Sequence, residues 1–207
     1  SAAFLIDRGY LSSIEVECIE TQESEEDFPD YSSEKSFLSK HDDRAQAIAD
    51  EIMQARDRHG NTMVLVNSIA QGQILQSLIP GSVFLDGTTK TKDRREEYIQ
   101  YAEQDGIIVI ATAGIAAQGL SIDRIFCLIL VDAGKSFIRC IQSIGRGLRK
   151  KGDKNHVEVK DISSKMKFSK KHAKDRKSYY KDAGYPYNKV SRKLKYQGTS
   201  KLTGLFL

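Results

Sequence analysis

Cysteine is scarce in this sequence. Cys18, Cys127 and Cys140 are the only three in 207 residues; odd in number and far apart, they exclude a disulfide framework and read as small core hydrophobes of a reducing compartment, the cytoplasm. The four histidines, His41, His59, His156 and His172, show no ligand spacing with the cysteines, so no metal held by protein side chains is expected. No stretch approaches the roughly 18 apolar residues of a membrane span, and the start lacks the charged, apolar, small-residue succession of a signal peptide. A membrane partner is therefore not expected. Each end of the chain is also poor in one sign of charge. Residues 1–60 carry 15 acidic and 6 basic side chains, whereas residues 134–207 carry 21 basic and 5 acidic, a segregation that the net charge of +4 conceals. The basic end is either a surface for a polyanion or a merely soluble, lysine-rich helix.

What is present is ordinary for one globular core: 40% hydrophobic and 29% charged residues, enough for a domain plus an extension. Ile14, Val16 and Cys18 alternate with Glu15, Glu17 and Glu20 as in a strand, and the acidic run QESEEDFPD then breaks regular structure. A short helix over 31–39 follows. Asp42 or Asp43 is positioned to cap the next helix, whose apolar positions Ala45, Ile48, Ala49, Ile52 and Met53 keep helical spacing until Gly60. Beyond it, strands at 63–66, 83–85, 107–111, 125–131 and 157–162 alternate with helices at 70–78, 92–102, near 115 and from 136 onward. That alternation predicts an α/β fold, a parallel sheet flanked by helices and joined by right-handed crossovers. Binding loops in such sheets lie at the carboxyl ends of strands. Asn67 and Ser68, residues 86–89, and Thr112 to Gly114 fall there.

The helix starting at Ser136 has two unlike faces. Phe137, Ile141, Ile144 and Leu148 recur at spacings of four, three and four, while Gln142, Arg146 and Arg149 recur at four and three on the opposite side. Two arginines one turn apart either form a solvated basic face or grip a polyphosphate from two sides, since each guanidinium offers a planar fork of donors to phosphate oxygens. The surrounding sequence favours the second. QSIGRGLR resembles motif VI of the superfamily 2 helicases and translocases, Q-x-x-G-R-x-x-R, and ATAGIAAQGLSI resembles their motif V at a fitting distance upstream. VLVNS is similar to motif IV. FLDGTTKTKDRRE resembles a segment that in relatives reads H-G-D followed by Gln and Arg; here Gly87 and Arg94 match, while Asp86, Thr88 and Thr91 replace the His, the Asp and the Gln.

The resemblance covers roughly residues 11–162 and implies a RecA-like domain. It further implies that Gln142, Arg146 and Arg149 face the triphosphate of ATP with Mg²⁺, with one or both arginines acting as arginine fingers. Gly119 and Ser121 would meet the same nucleotide, Ser121 standing where many relatives carry a ribose-binding Asp. Asn67, Ser68, Gly87, Thr88 and Thr112 would hold the sugar-phosphate backbone of one nucleic-acid strand, a task for which short hydroxyl and amide side chains beside glycine are suited. Ordinary turn chemistry is the competing reading for Asn-Ser and Asp-Gly.

Gly134-Lys135-Ser136 is not a phosphate-binding P-loop, because G-x-x-x-x-G-K-[ST] needs glycine where Ile129 stands. A D-E-x-[HD] motif for Mg²⁺ and the attacking water is also missing. The sequence therefore reads as the second of two RecA-like halves, with 1–13 as a linker or the end of a preceding domain, 14–163 as the RecA-like helicase C-terminal domain and 164–207 as a basic, tyrosine-containing extension. Lys170 to Ala183 reads as a basic helix. Its neighbours Tyr179, Tyr180, Tyr185 and Tyr187 either stack on bases or pack the helix onto the core.

IDRGYLS and KSFIRCIQSIGRGLRKKGDK are similar to the recombination helicases of T-even-like bacteriophages. This implies ATP-driven work on DNA, single-stranded or branched, or on an RNA–DNA hybrid, in recombination and repair, in concert with an N-terminal RecA-like domain of the same protein. Two other classes remain open: a DNA-binding or annealing module with no motor role, and a duplex translocase subunit of a restriction or remodelling complex.

Overall fold

The computed structural model describes residues 13–23, 27–87, 104–116, 124–134, 137 and 156–194, the last six as backbone only. Seven strands among them form one sheet in which every pairing is parallel: β1 (Ser13–Thr21), β2 (Thr62–Val66), β3 (Val83–Leu85), β4 (Ile108–Thr112), β5 (Cys127–Val131), β6 (His156–Ser164) and β7 (Tyr187–Leu194). Their order across the sheet is β3-β4-β2-β5-β6-β1-β7. The central strands β2 and β5 are buried at all five positions, as unbroken apolar runs require when helices cover both faces.

The two faces carry separate cores. Ile48, Ala49, Ile52 and Ala55 of α2 (Asp42–His59) and Leu75 of α3 (Ile69–Leu78) pack with Val64, Val66, Ile108, Ile110, Ile129 and Val131. On the opposite face Met63, Leu65, Leu128, Leu130, Val157 and Val159 meet Phe137 and Tyr180. Tyr180 belongs to α5 (Lys167–Ala183), the helix between β6 and β7; α1 (Tyr31–Ser39) and the short α4 (Ala113–Ala116) complete the described helices. None of these is long and apolar enough to cross a membrane.

The expected elements on described residues are present, with ends moved by one to three residues. The helix expected over 92–102 and the body of the helix expected from 136 lie outside the described residues. Two particulars differ from expectation. His41, not Asp42 or Asp43, is the N-cap of α2, its ring nitrogen accepting from the Arg44 amide at 3.4 Å; both aspartates sit in the first turn, where the helix dipole favours them. The expected boundary at 163/164 falls inside β6, and β7 pairs with β1 from Val16↔Tyr187 to Thr21↔Leu194. Residues 164–194 thus lengthen the same sheet instead of standing apart from it. The four tyrosines pack inward. Tyr180 and Tyr185 are buried, and ring contacts link Tyr179 to both and Tyr180 to Tyr187.

Candidate functional site at the carboxyl edge of the sheet

Because all seven strands run the same way, the loops that follow them gather along one edge. The register places Val66 beside Thr112 and Leu85 beside Ala111, so Asn67, Ser68, Gly87 and Thr112 stand at the ends of three adjacent strands. Thr112 and Ser68 are half-buried and Gly87 is exposed, with no atom within 4 Å of where a Cβ would lie. Thr88, Gly119, Ser121, Gln142, Arg146 and Arg149 lie outside the described residues.

Ser68 caps α3, its hydroxyl oxygen accepting from the Gln71 amide at 3.3 Å. Its own proton remains free to donate in that geometry. Asn67 is more heavily used. Its Nδ2 donates to Tyr31 Oη at 3.2 Å and to the Asp132 carbonyl, its backbone N–H donates to Gln71 Oε1 at 3.1 Å, and its carbonyl accepts from Lys35 Nζ at 3.0 Å. Both side-chain donors are occupied, so Asn67 shapes the edge through its contacts.

Asp132, directly after β5, is the hub of that edge. It adopts φ 51°, a left-handed conformation that Asp tolerates better than most residues. Arg44 of α2 grips its carboxylate with two hydrogen bonds, Nη1 to Oδ2 at 2.8 Å and Nη2 to Oδ1 at 2.6 Å, and Gln71 Nε2 adds a third at 3.1 Å. Arg44 Nε reaches Glu23 Oε1 at 2.8 Å, while Thr21 and Ser164 donate to the same carboxylate. Burial pushes the Glu23 carboxyl up, but Arg44 and these hydroxyls together outweigh burial and hold it below the usual carboxylate range. Burial likewise disfavours the Arg44 charge, and Asp132 and Glu23 reverse that effect.

A second buried group holds the next residues. Arg176 of α5 donates to the Ala133 carbonyl and pairs with Asp161 of β6, Nε to Oδ2 at 2.9 Å and Nη2 to Oδ1 at 2.7 Å; Tyr180 Oη donates to Asp161 Oδ2 at 2.9 Å. Burial raises the Asp161 carboxyl, and Arg176 with the Tyr180 and Ser163 hydroxyls overcomes this and lowers it. Glu34 of α1 closes the amino end of α5 by accepting from the Phe168 and Ser169 amides at 2.9 and 2.7 Å. Asp132 to Gly134 is therefore clamped from α2, α3 and α5. Phe137, whose N–H donates to the Gly134 carbonyl at 3.1 Å, is fully buried. The clamped loop leads directly into the arginine-bearing segment.

The sequence offered one sign of this hub: Asp132 is a lone acid ending an apolar run. Its partners were not legible, since Arg44 and Gln71 lie 88 and 61 positions away. Elsewhere, Glu15, His156 and Glu158 bring one potential ligand atom each within 4.8 Å of one another. Two of the three are exposed, and β1–β6 register sets Glu15 beside Glu158. Parallel pairing therefore explains the cluster.

Residues 43–151 match the helicase conserved C-terminal domain family. The chain belongs to that family. The ATP-dependent DNA helicase uvsW of Enterobacteria phage T4 is 26% identical over 153 residues, which are 72% of this chain and 30% of that protein. The crystal structure of T4 UvsW superposes with a TM-score of 0.66 at 20% identity, covering 87% of this chain and 41% of that one. The C-terminal part of the Fun30 ATPase domain superposes with a TM-score of 0.52 at 16% identity over 62% of this chain and 43% of that one. The helicase C-terminal domain described here thus spans less than half the length of these relatives. The RecA-like fold implied by the motif resemblance, and the likeness of IDRGYLS and KSFIRCIQSIGRGLRKKGDK to T-even phage helicases, are borne out.

Proposed function

We propose that this chain is the second motor domain of an ATP-dependent DNA helicase or translocase that acts on branched DNA or R-loops in recombination and repair. In this reading the domain built on the seven-stranded sheet, β7 included, is the motor domain, and an N-terminal RecA-like domain of the same protein supplies the phosphate-binding loop and the carboxylate for Mg²⁺. Arg146 and Arg149 then serve as arginine fingers for ATP held mainly by that partner domain, with Gln142, Gly119 and Ser121 beside the nucleotide. Ser68, Gly87, Thr88 and Thr112, shaped by Asn67, follow the backbone of one strand.

One observation carries the reading. A family match that includes motifs V and VI falls on a sheet whose carboxyl edge gathers the candidate strand-contacting loops beside a rigidly held Asp132–Gly134 loop leading to the arginines. The test is ATP turnover by the complete protein with DNA present. Arg146→Lys keeps the charge but loses the fork, so turnover is expected to fall by about 10³ to 10⁵ with an unchanged melting temperature. Wild-type turnover in that variant overturns the reading. An annealing module without a motor role predicts the same DNA products with and without ATP, and strand-separation assays distinguish a helicase from a duplex translocase.

A further inference from the structure

The exposed face of α5 carries lysine at Lys167, Lys170, Lys171, Lys174 and Lys177, spacings of three, one, three and three that keep all five within one stripe. With Lys165 they line a cleft of about 640 Å³ between α5 and the carboxyl halves of β1 and β6. Two acids share the cleft and both are engaged. Asp161 is taken by Arg176 and Tyr180, and Glu20 faces Lys165 at 3.5 Å and Lys177 at 3.6 Å. Lys167, Lys170, Lys171 and Lys174 have no acidic partner among the described residues.

The stripe is held in a fixed orientation. The opposite face of α5 is anchored by Arg176 and Tyr180 on Asp161, and its amino end by Glu34. Glu34 also occupies the helix N-terminus, which leaves the lysines as the cationic feature. At 1.5 Å per residue, Lys167 to Lys177 extends about 15 Å. One strand of duplex DNA presents about four phosphates over that distance. The tyrosines that could have made this a stacking platform for unpaired bases are turned inward: Tyr180 and Tyr185 are buried, and Tyr179 packs against both. One ring, that of the half-buried Phe168, lies beside the stripe, 5.6 Å from Lys167 Nζ; a single ring does not make a stacking track, and lysines in a row contact phosphate and leave the bases unread.

We propose that this lysine stripe is a contact surface for the sugar-phosphate backbone of double-stranded DNA, distinct from the strand-contacting loops at the ends of β2, β3 and β4. The inference rests on the reading that the chain works on DNA but is independent of the arginine fingers, because it concerns binding without nucleotide.

The experiment compares the full chain with a variant carrying Lys167→Gln, Lys170→Gln, Lys171→Gln and Lys174→Gln. Fluorescence anisotropy follows binding to a blunt duplex of about 30 base pairs and to oligo-dT of the same length, from about 50 to 200 mM salt. All four side chains are exposed, so the melting temperature is expected to hold. The duplex slope of log K against log salt should become shallower by about 3 to 4, near 0.9 for each phosphate that is no longer neutralised, with a change of less than about 1 on oligo-dT. Replacing the same four lysines by arginine should retain the slope. An unchanged duplex slope overturns the proposal. A change of about 2 to 3 on oligo-dT, near 0.7 for each of the same phosphates, also overturns it, since the stripe would then be a general polyanion surface. ATP turnover is read separately, so a failure here leaves the motor reading standing.

Discussion

Arg44 and Asp132, separated by 88 positions, meet in a buried two-point ion pair at 2.8 and 2.6 Å. The pair fastens the loop after β5 to a helix on one face of the sheet, while Arg176 fastens the next residue from the other face. Leaving a buried charge wholly unpaired typically costs about 3–5 kcal/mol; without Asp132 the buried Arg44 keeps Glu23 at 2.8 Å, which places the loss at the lower end of that range. Asp132→Ala should therefore destabilise the chain by about that amount, and Asp132→Asn by less, because Asn tolerates the left-handed backbone and keeps an oxygen for Arg44. Urea midpoints of the two variants check the order.

Acid should loosen both clamps. Glu23 and Asp161 are held below their ordinary values in the folded chain. In the window between folded and unfolded values the unfolded chain binds more protons, so stability rises with pH there. The contribution is fully present above about pH 4, the ordinary carboxylate range, and is lost as pH falls through the depressed folded values. Asp161→Asn should be less stable at neutral pH, because Arg176 loses its partner, and should show a flatter loss of stability between about pH 5 and 3. Denaturant midpoints across that range measure both effects.

Gly72 of α3 stands against Phe84 of β3. A Cβ placed on Gly72 would lie 2.2 Å from the Phe84 ring. Alanine ordinarily stabilises a helix interior by about 1 kcal/mol over glycine, but here overpacking costs about 1–3 kcal/mol. Gly72→Ala should be destabilising in the wild-type background and neutral or stabilising alongside Phe84→Leu. A double-mutant cycle measures that coupling.

Cys18 and Cys127 should resist alkylation while the chain is folded. Burial is the main cause that raises their thiols, to about 11 and about 12, so almost no thiolate exists near neutral pH. Peptide mapping after iodoacetamide should find both unmodified in the native state and both modified in urea.

Which features were legible in the sequence follows from their physics. Strands such as Cys127–Val131 are continuous apolar runs, and a parallel sheet places the turns that follow them on one edge, so Asn67, Ser68 and Thr112 could be assigned to a common edge beforehand. Side-chain use at that edge could not be read. Asn67 spends its donors on Tyr31 and on Asp132, partners 36 and 65 positions away. Glu34 was similarly obscure, since it caps a helix 135 residues away and replaces the local cap that α5 lacks. β7 was missed because a strand that carries Lys189, Arg192 and Lys193 looks like a basic tail until a neighbour pairs with it. The inward tyrosines follow from α5 lying across that neighbour, which a local spacing cannot reveal.

The position of β1 has a consequence for biosynthesis. Its first residue pairs across 143 positions with β6, and its other side pairs with β7. β1 thus finds its β6 neighbour only after the 143 positions that separate Ser13 from His156 have been made, and its β7 neighbour later still. Until then both of its backbone edges stay open to any other extended segment nearby, and closure of the sheet waits for the lysine-bearing helix that joins those two late partners.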